Sequence, residues 1–308
     1  MIVGLPGELL GFPWARELER RLEAAFPGAR IRRAPARAPA APPLSEGDAC
    51  YPYKRMIRSA LGLLAESDAL VLPRLLRLDG HLMCPNFRAL PDIVALNWRR
   101  LHGEEPPMAA PAVEVADGRD AEAAFEAVIR ELRRLPGGRR AEAARAQPPR
   151  PAPGTAPPRA EDGRRRAIAL VGHPYILSTP ALHKGVPDLV RRAGFRVVTP
   201  EGLPFRTLDR LARDRDYYAK VLYWRGAREC LGAFRHFTEV RPAAGLIYLI
   251  AFNCGVDALL RLELAALHKD LARRVPFMVL VVDEHTQHEH VATRVEAFLD
   301  IVDGTAHA

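Results

Sequence analysis

The chain has 308 residues, 48% of them apolar, and a formal net charge of +8. That length can bury a full core and predicts one or two domains of ordinary globular composition. No run reaches the ~18 apolar residues of a membrane span, and the first residues carry no basic stretch followed by an apolar one, so a cytoplasmic protein with no membrane partner is predicted.

The basic excess is local. Between residues 136 and 166, eight Arg stand against Glu142, Glu161 and Asp162, so that stretch carries +5 and the rest of the chain shares +3. A nucleic-acid surface needs basic residues spread over one face, so no nucleic-acid partner is predicted. The four cysteines, Cys50, Cys84, Cys230 and Cys254, are too few and too scattered for a disulfide framework. In a reducing compartment they stay available for packing, metal or catalysis.

A short strand is predicted over residues 2–5, ending in Gly-Leu-Pro-Gly, then a helix over 14–26 with Leu18, Leu22 and Phe26 on one face. Pro27-Gly28 stops that helix, and a second short strand lies around Ile31. Residues 35–43 are too proline-rich for helix or sheet interior. Asp48-Ala49-Cys50-Tyr51-Pro52-Tyr53-Lys54 then opens a helix over 53–65. A thiol at a helix start lies near unpaired N–H groups and the positive end of the dipole, which favour a thiolate there. Thiolates bind soft metals and iron–sulfur clusters, although a single cysteine more often serves as a small buried hydrophobe.

Residues 69–72 form a continuous apolar run closed by Pro73, as in a parallel strand buried on both faces. A loop through Asp79, Gly80 and His81 leads to Met83-Cys84-Pro85 and a helix over 93–100. A strand over 112–115 and a helix over 120–135 complete an N-terminal α/β domain, residues 1–135, containing Cys50 and Cys84. Residues 136–166, with seven Pro and almost no large apolar side chain, cannot bury enough surface to offset ordering and predict a flexible Pro/Arg-rich linker.

The C-terminal α/β domain, residues 167–308, opens on a strand over 167–171 and the turn Gly172-His173-Pro174-Tyr175. A helix over 180–193 and a strand over 195–199 follow, then one long helix over 217–237 carrying Trp224, Arg225, Arg228, Glu229 and Cys230. An apolar strand over 245–251 runs into Phe252-Asn253-Cys254-Gly255-Val256-Asp257 and a helix to Arg274. The strongest strand, 277–282, ends in Asp283-Glu284-His285-Thr286, and a helix over 291–301 closes the chain.

Strand and helix alternate throughout, which predicts parallel sheets with right-handed crossovers. The halves echo each other, so the fold class is α/β: two related flavodoxin-like or Rossmann-like domains facing a central cleft. In such sheets ligands collect beyond the carboxyl ends of the strands. Cys50, Cys84 and Cys254 all stand at turns beside Pro or Gly and before a helix, where backbone N–H groups can approach cluster sulfide. Cys230, mid-helix, reads as core filler. His81 and His173 fall in turns toward the cleft, each as a structural residue, a proton donor or a fourth ligand. His285-x-x-His288-x-His290 fits no standard helical zinc pair. No phosphate loop, G-x-S-x-G elbow or dinucleotide fingerprint is present.

The cysteine-bearing segments, with Leu72-Pro73-Arg74, Cys84-Pro85-Asn86-Phe87, Leu90-Pro91-Asp92, Asp283-Glu284-His285-Thr286 and Thr293-Arg294-x-Glu296-Ala297-Phe298, resemble the acyl-CoA dehydratase activase-related family. That family is akin to the D-component of 2-hydroxyglutaryl-CoA dehydratase and other 2-hydroxyacyl-CoA dehydratase-like iron–sulfur proteins. The resemblance implies paired α/β domains holding a [4Fe-4S] cluster through Cys50, Cys84 and Cys254, with one iron open to water, His or substrate. It implies low-potential one-electron reduction of an acyl-CoA or other small substrate, as in an iron–sulfur reductase or 2-hydroxyacyl-CoA dehydratase-type lyase. Electrons would come from a separate ATP-dependent activator in trans, within a homo- or hetero-oligomer. His173, Lys54 and Arg74, assigned on position, would stabilise negative charge. The rival expectations are a non-catalytic electron relay or accessory partner, and a metal-free α/β binding domain. The chain departs from the family pattern at Gln287-His288-Glu289-His290, where relatives carry Gly-Glu-Ala-Gly, and in its Pro/Arg linker.

Overall fold

The computed structural model of the chain describes residues 1–35, 49–135, 166–213, 222–271 and 275–304. It divides into two compact units, Met1–Gly154 and Thr155–Ala308; apart from Arg166, the expected linker at 136–166 lies outside the described residues. Among the described residues no helix is long and apolar enough to cross a membrane.

In the first unit β1 (Ile2–Gly4), a 3-10 turn (Gly7–Gly11), α1 (Pro13–Ala25) and β2 (Arg30–Arg32) precede α2 (Tyr51–Glu66) and β3 (Ala69–Val71). Then come β4 (Arg74–Leu78), β5 (His81–Leu82), α3 (Pro85–His102), β6 (Met108–Ala109), β7 (Ala112–Glu114) and α4 (Gly118–Arg134). The main sheet has the order β2-β1-β3-β6, all parallel. Every residue of β3 is buried, as the unbroken apolar run requires of a strand covered on both faces. Pro73 has no N–H to donate, so the strand breaks there. Yet Leu72 N donates to Ala109 O at 3.0 Å and Arg74 N to Pro111 O at 2.9 Å, and β4 continues as a small second sheet, β5-β4-β7.

The turn through Asp79-Gly80, expected as a loop, is a two-residue hairpin between β4 and β5. Its residues have φ of 51° and 77°, the paired positive values for which an Asp-Gly dipeptide is suited. This hairpin delivers Cys84 to the start of α3. That helix is longer than expected because Pro85 occupies its first turn, where a missing N–H is harmless. Gly103 ends it in the left-handed region, its N–H on Arg99 O. At α4 the Asp117 side chain caps the helix by accepting from the N–H groups of Arg119 and Asp120 at 2.8 and 3.1 Å.

The second unit runs β8 (Ala167–Val171), α5 (Pro174–Ser178), α6 (Pro180–His183), α7 (Val186–Arg192), β9 (Arg196–Val198) and α8 (Phe205–Arg213). It continues with α9 (Arg225–Arg235), a π turn (His236–Val240), β10 (Gly245–Ala251), α10 (Gly255–Asp270), β11 (Phe277–Val282) and α11 (His288–Gly304). Its parallel sheet has the order β11-β10-β8-β9. Counted in chain order, both main sheets therefore read 2-1-3-4, the flavodoxin-like arrangement. All seven residues of β10 are buried.

In the second unit α8 is a helix that the sequence pattern does not mark, and two expected helices differ in extent. The helix over 180–193 is split because Lys184 and Gly185 both take positive φ, 52° and 79°. The helix expected over 217–237 begins at Arg225 and widens into the π turn; residues 214–221 lie outside the described residues. Glycine matters at two close approaches. A Cβ on Gly172 would lie 2.6 Å from Leu249 O, and one on Gly232 would lie 2.0 Å from Leu208 O. The first sets the end of β8 against β10, and the second seats α9 on α8.

Candidate functional site

In the second unit β8 and β10 are neighbours, and the chain reverses its strand order between them. This is the switch point at which open α/β sheets collect ligands. Beyond β8, Gly172 is followed by His173, the N-cap of α5, with Pro174 in the first helical turn. Beyond β10, Asn253 takes φ of 60° and turns the chain so that Cys254 becomes the N-cap of α10. Asp257 lies three residues on, and i and i+3 share one helix face. Those two turns bring together His173, Cys254 and Asp257.

His173 Nε2 is 3.9 Å from Cys254 Sγ and 3.1 Å from Asp257 Oδ1. Tyr248, inside β10, donates its hydroxyl to the same Asp257 Oδ1 at 2.6 Å. His173 is 5% exposed and Asp257 1%, whereas Cys254 is half-buried. Burial opposes protonation of His173, but the Asp257 carboxylate and its hydrogen bond, with Glu229 beyond, hold the imidazole above its ordinary value. Burial likewise opposes ionisation of Asp257, yet the His173 charge and the bonds from His173, Tyr248 and Cys254 hold its carboxyl below the usual range. The two shifts agree on an imidazolium–carboxylate pair.

The surroundings keep that pair in place. The Tyr175 ring stacks on His173 with centroids 5.2 Å apart. α9 approaches closely at Gly226, where a Cβ would lie 2.5 Å from His173 Cε1. Arg225, also on α9, pairs with Glu229 at 2.6 Å and lies over the Phe205 ring. Cys230 is wholly buried in the core. Burial first, then the Asp257 and Glu229 charges, push its thiol well up, so it stays neutral and packs.

The first unit carries the other two expected cysteine ligands. Cys50 is the buried N-cap of α2, and Cys84 the half-buried N-cap of α3. Both have extended backbones that lead into a helix with Pro in its first turn. α2 packs on α3, and Asn86 Nδ2 donates to Cys50 Sγ at 3.7 Å. Tyr53 lies near both sulfurs: burial, then Cys50, Cys84 and Asp92, push its hydroxyl up to about 12.

Of the positively charged candidates, Lys54 is half-buried in the first turn of α2. Arg74 is clamped: Nη1 donates to Asp92 Oδ2 at 2.6 Å and to Arg88 O at 2.8 Å, while Nη2 bonds the other Asp92 oxygen. Its guanidinium ties β4 to α3, and the bond to Arg74 holds the Asp92 carboxyl low. Among the described residues, His173, Cys254 and Asp257 are the one group of three able to hold a metal ion, with ligand atoms within 4.8 Å of one another. His285, His288 and His290 form no such group; His285 is exposed, and His288 pairs with Lys184 O at 3.2 Å.

Tyr248, inside the apolar strand β10, and Asp257, in the first turn of α10, carry no mark of a site in the sequence alone beyond the spacing Cys254-x-x-Asp257 at a helix start.

The family model described as "CoA enzyme activase uncharacterised domain (DUF2229)" matches residues 43–203. No curated protein matches the chain. The matched span contains Cys50, Cys84 and His173 and ends before Cys254 and Asp257. It is more than half of the 308 residues, and the chain belongs to the CoA enzyme activase-related family that this domain defines.

Proposed function

We propose that this protein is an iron–sulfur component of a CoA-dependent dehydratase or activase system, with Cys50, Cys84 and Cys254 as ligands of a [4Fe-4S] cluster. The observation that carries the proposal is that each of these three cysteines is the N-cap of a helix, in extended conformation. Cys230, which lacks that setting, is sealed in the core. An N-cap sulfur has the unpaired N–H groups of the first turn beside it. Such donors suit thiolate and sulfide, and that local setting is what supports the reading.

Bound there, the cluster supplies low-potential one-electron reduction. The protein's own residues do the rest. Asn86 donates to Cys50 sulfur, Tyr53 keeps its proton beside Cys50 and Cys84, and the His173–Asp257 pair offers a buried, held proton 3.9 Å from Cys254 sulfur. Lys54 and His173 stabilise negative charge on a bound acyl-CoA or other small substrate; Arg74, already clamped on Asp92, shapes the Cys84 helix. The electrons come from an ATP-dependent activator acting in trans, a partnership that the family description supports.

The test is an anaerobic redox titration of the full-length, iron- and sulfide-reconstituted chain. The expected result is a visible chromophore that bleaches with a low-potential reductant, with the reduced chain converting an added 2-hydroxyacyl-CoA thioester to the enoyl-CoA and water without net consumption of electrons. Conversion only with a protein partner makes the chain a relay rather than an enzyme. Absence of any reducible chromophore contradicts the proposal.

A further inference from the structure

The His173, Cys254 and Asp257 side chains invite comparison with a nucleophile–imidazole–carboxylate relay. In such a relay the carboxylate holds one ring nitrogen and the nucleophile addresses the other. Here Asp257 Oδ1, at 3.1 Å, and Cys254 Sγ, at 3.9 Å, both face Nε2. The Nδ1 side lies against the backbone of Gly226, where a Cβ would come within 2.6 Å of that nitrogen. One ring nitrogen facing both partners cannot pass a proton through the ring. Three donors that converge on one point instead suit a shared electrophile.

Asp257 supplies an independent observation. Its Oδ1 is bonded to Tyr248 and His173, the Cys254 thiol also bonds the carboxylate, and its Oδ2 is buried with no hydrogen-bond partner of its own. A buried carboxylate oxygen left open is costly unless something positive meets it.

We infer that the second unit by itself binds one borderline divalent cation, of the zinc or ferrous class, through Cys254 Sγ, a carboxylate oxygen of Asp257 and His173 Nε2, the metal displacing to solvent the proton that Nε2 now holds against Asp257. Imidazole and thiolate select such ions over magnesium or calcium, which prefer all-oxygen sites. Three protein ligands leave a fourth position for water or a small oxygen ligand, the pattern of catalytic rather than structural zinc. Tyr248 orients the carboxylate from behind, as outer-shell partners of metal ligands do. The site shares Cys254 with the proposed cluster but needs neither Cys50 nor Cys84, so the two proposals fail separately.

The test uses the full-length chain, reduced and stripped of metal, titrated with Co2+ and read by thiolate-to-cobalt charge transfer in the near ultraviolet. One Co2+ per chain is expected, displaced by Zn2+. The band should be unchanged in Cys50→Ser/Cys84→Ser, abolished in Cys254→Ser, and about 10–100-fold weaker in affinity in Tyr248→Phe, the usual scale for an outer-shell partner. Asp257→Asn should weaken binding at least as much. If that buried variant fails to fold, Cys254→Ser, at a half-buried position, carries the test. A band that persists in Cys254→Ser, is absent from the parent chain, or vanishes in Cys50→Ser/Cys84→Ser overturns the inference. The last of these outcomes leaves the three-cysteine cluster standing.

Discussion

Asp257→Ala is expected to destabilise the second unit by about 3–5 kcal/mol, the scale of removing one partner from a buried ion pair. The carboxylate is 1% exposed, and its loss leaves His173 without its 3.1 Å partner and the Tyr248 hydroxyl without its 2.6 Å acceptor. Hydrogen exchange of β8 and β10 in the full chain measures the effect, and a change below about 1 kcal/mol would mean that the pair contributes no more than a surface contact. The loss should depend on pH. His173 is held above its ordinary value, so its share of the stability is fully present below about pH 6.5 and disappears as pH rises through the raised folded value. Asp257 is held below its ordinary value, so its share is present above about pH 3.9 and disappears as pH falls through the lowered folded value. The parent chain and the variant should therefore differ most between roughly pH 4 and 6.5 and converge toward alkaline pH.

The other large effect is expected at Gly232→Ala. The added Cβ would lie 2.0 Å from Leu208 O and 2.7 Å from Leu208 Cα. The obstacle is backbone of α8, not the tip of a movable side chain. Overpacking of this kind costs about 1–3 kcal/mol and occasionally more, and a backbone clash at full burial belongs at the upper end. The matched comparison is Gly255→Ala, at the first position of α10, where an added Cβ meets nothing within 4 Å; it should stay within about 0.5 kcal/mol. Denaturant unfolding of the two variants side by side measures the contrast. Equal midpoints would mean that α8 and α9 are not packed as closely as their backbones indicate.

Where local rules and tertiary packing agree, the fold was legible from residues alone. The unbroken apolar runs at 69–72, 245–251 and 277–282 read as strands, the first as a parallel strand buried on both faces, and strands form at Ala69–Val71, Gly245–Ala251 and Phe277–Val282. The alternation of strands and helices gave the α/β class. Prolines marked real breaks, as at Pro73. The misses have local causes. Asp79-Gly80, expected as a loop, turns a hairpin whose second strand, β5, is only two residues long. The helix at 180–193 looked continuous because a split at Lys184-Gly185 depends on two positive φ values, one of them on a lysine. The helix expected from residue 217 is not formed over 222–224, while residues 217–221 lie outside the described residues.

The site was half legible. Helix-start thiols are visible as Cys50-Tyr51-Pro52, Cys84-Pro85 and Cys254-Gly255, and all three expected cysteines stand at N-cap positions. Asp257 and Tyr248 were not legible as site residues, since only the neighbouring register of β8 and β10 brings His173, 81 residues earlier than Cys254, into reach. That juxtaposition is a property of strand order, which no local pattern encodes. Arg74 shows the converse. Its position recommended it for substrate charge, and the fold commits it to Asp92.

In the proposed arrangement three cysteines at helix N-cap positions hold one cluster, while Cys230 packs in the core. The most direct measurement is the iron and acid-labile sulfide content of the anaerobically reconstituted full-length chain. It should be compared with Cys50→Ser, Cys84→Ser, Cys254→Ser and Cys230→Ser, each checked for folding by circular dichroism. The account predicts one [4Fe-4S] cluster per chain in the parent and in Cys230→Ser, and loss of most iron and sulfide in each of the other three. Equal content across all four variants, or no iron in the folded parent chain, would contradict it.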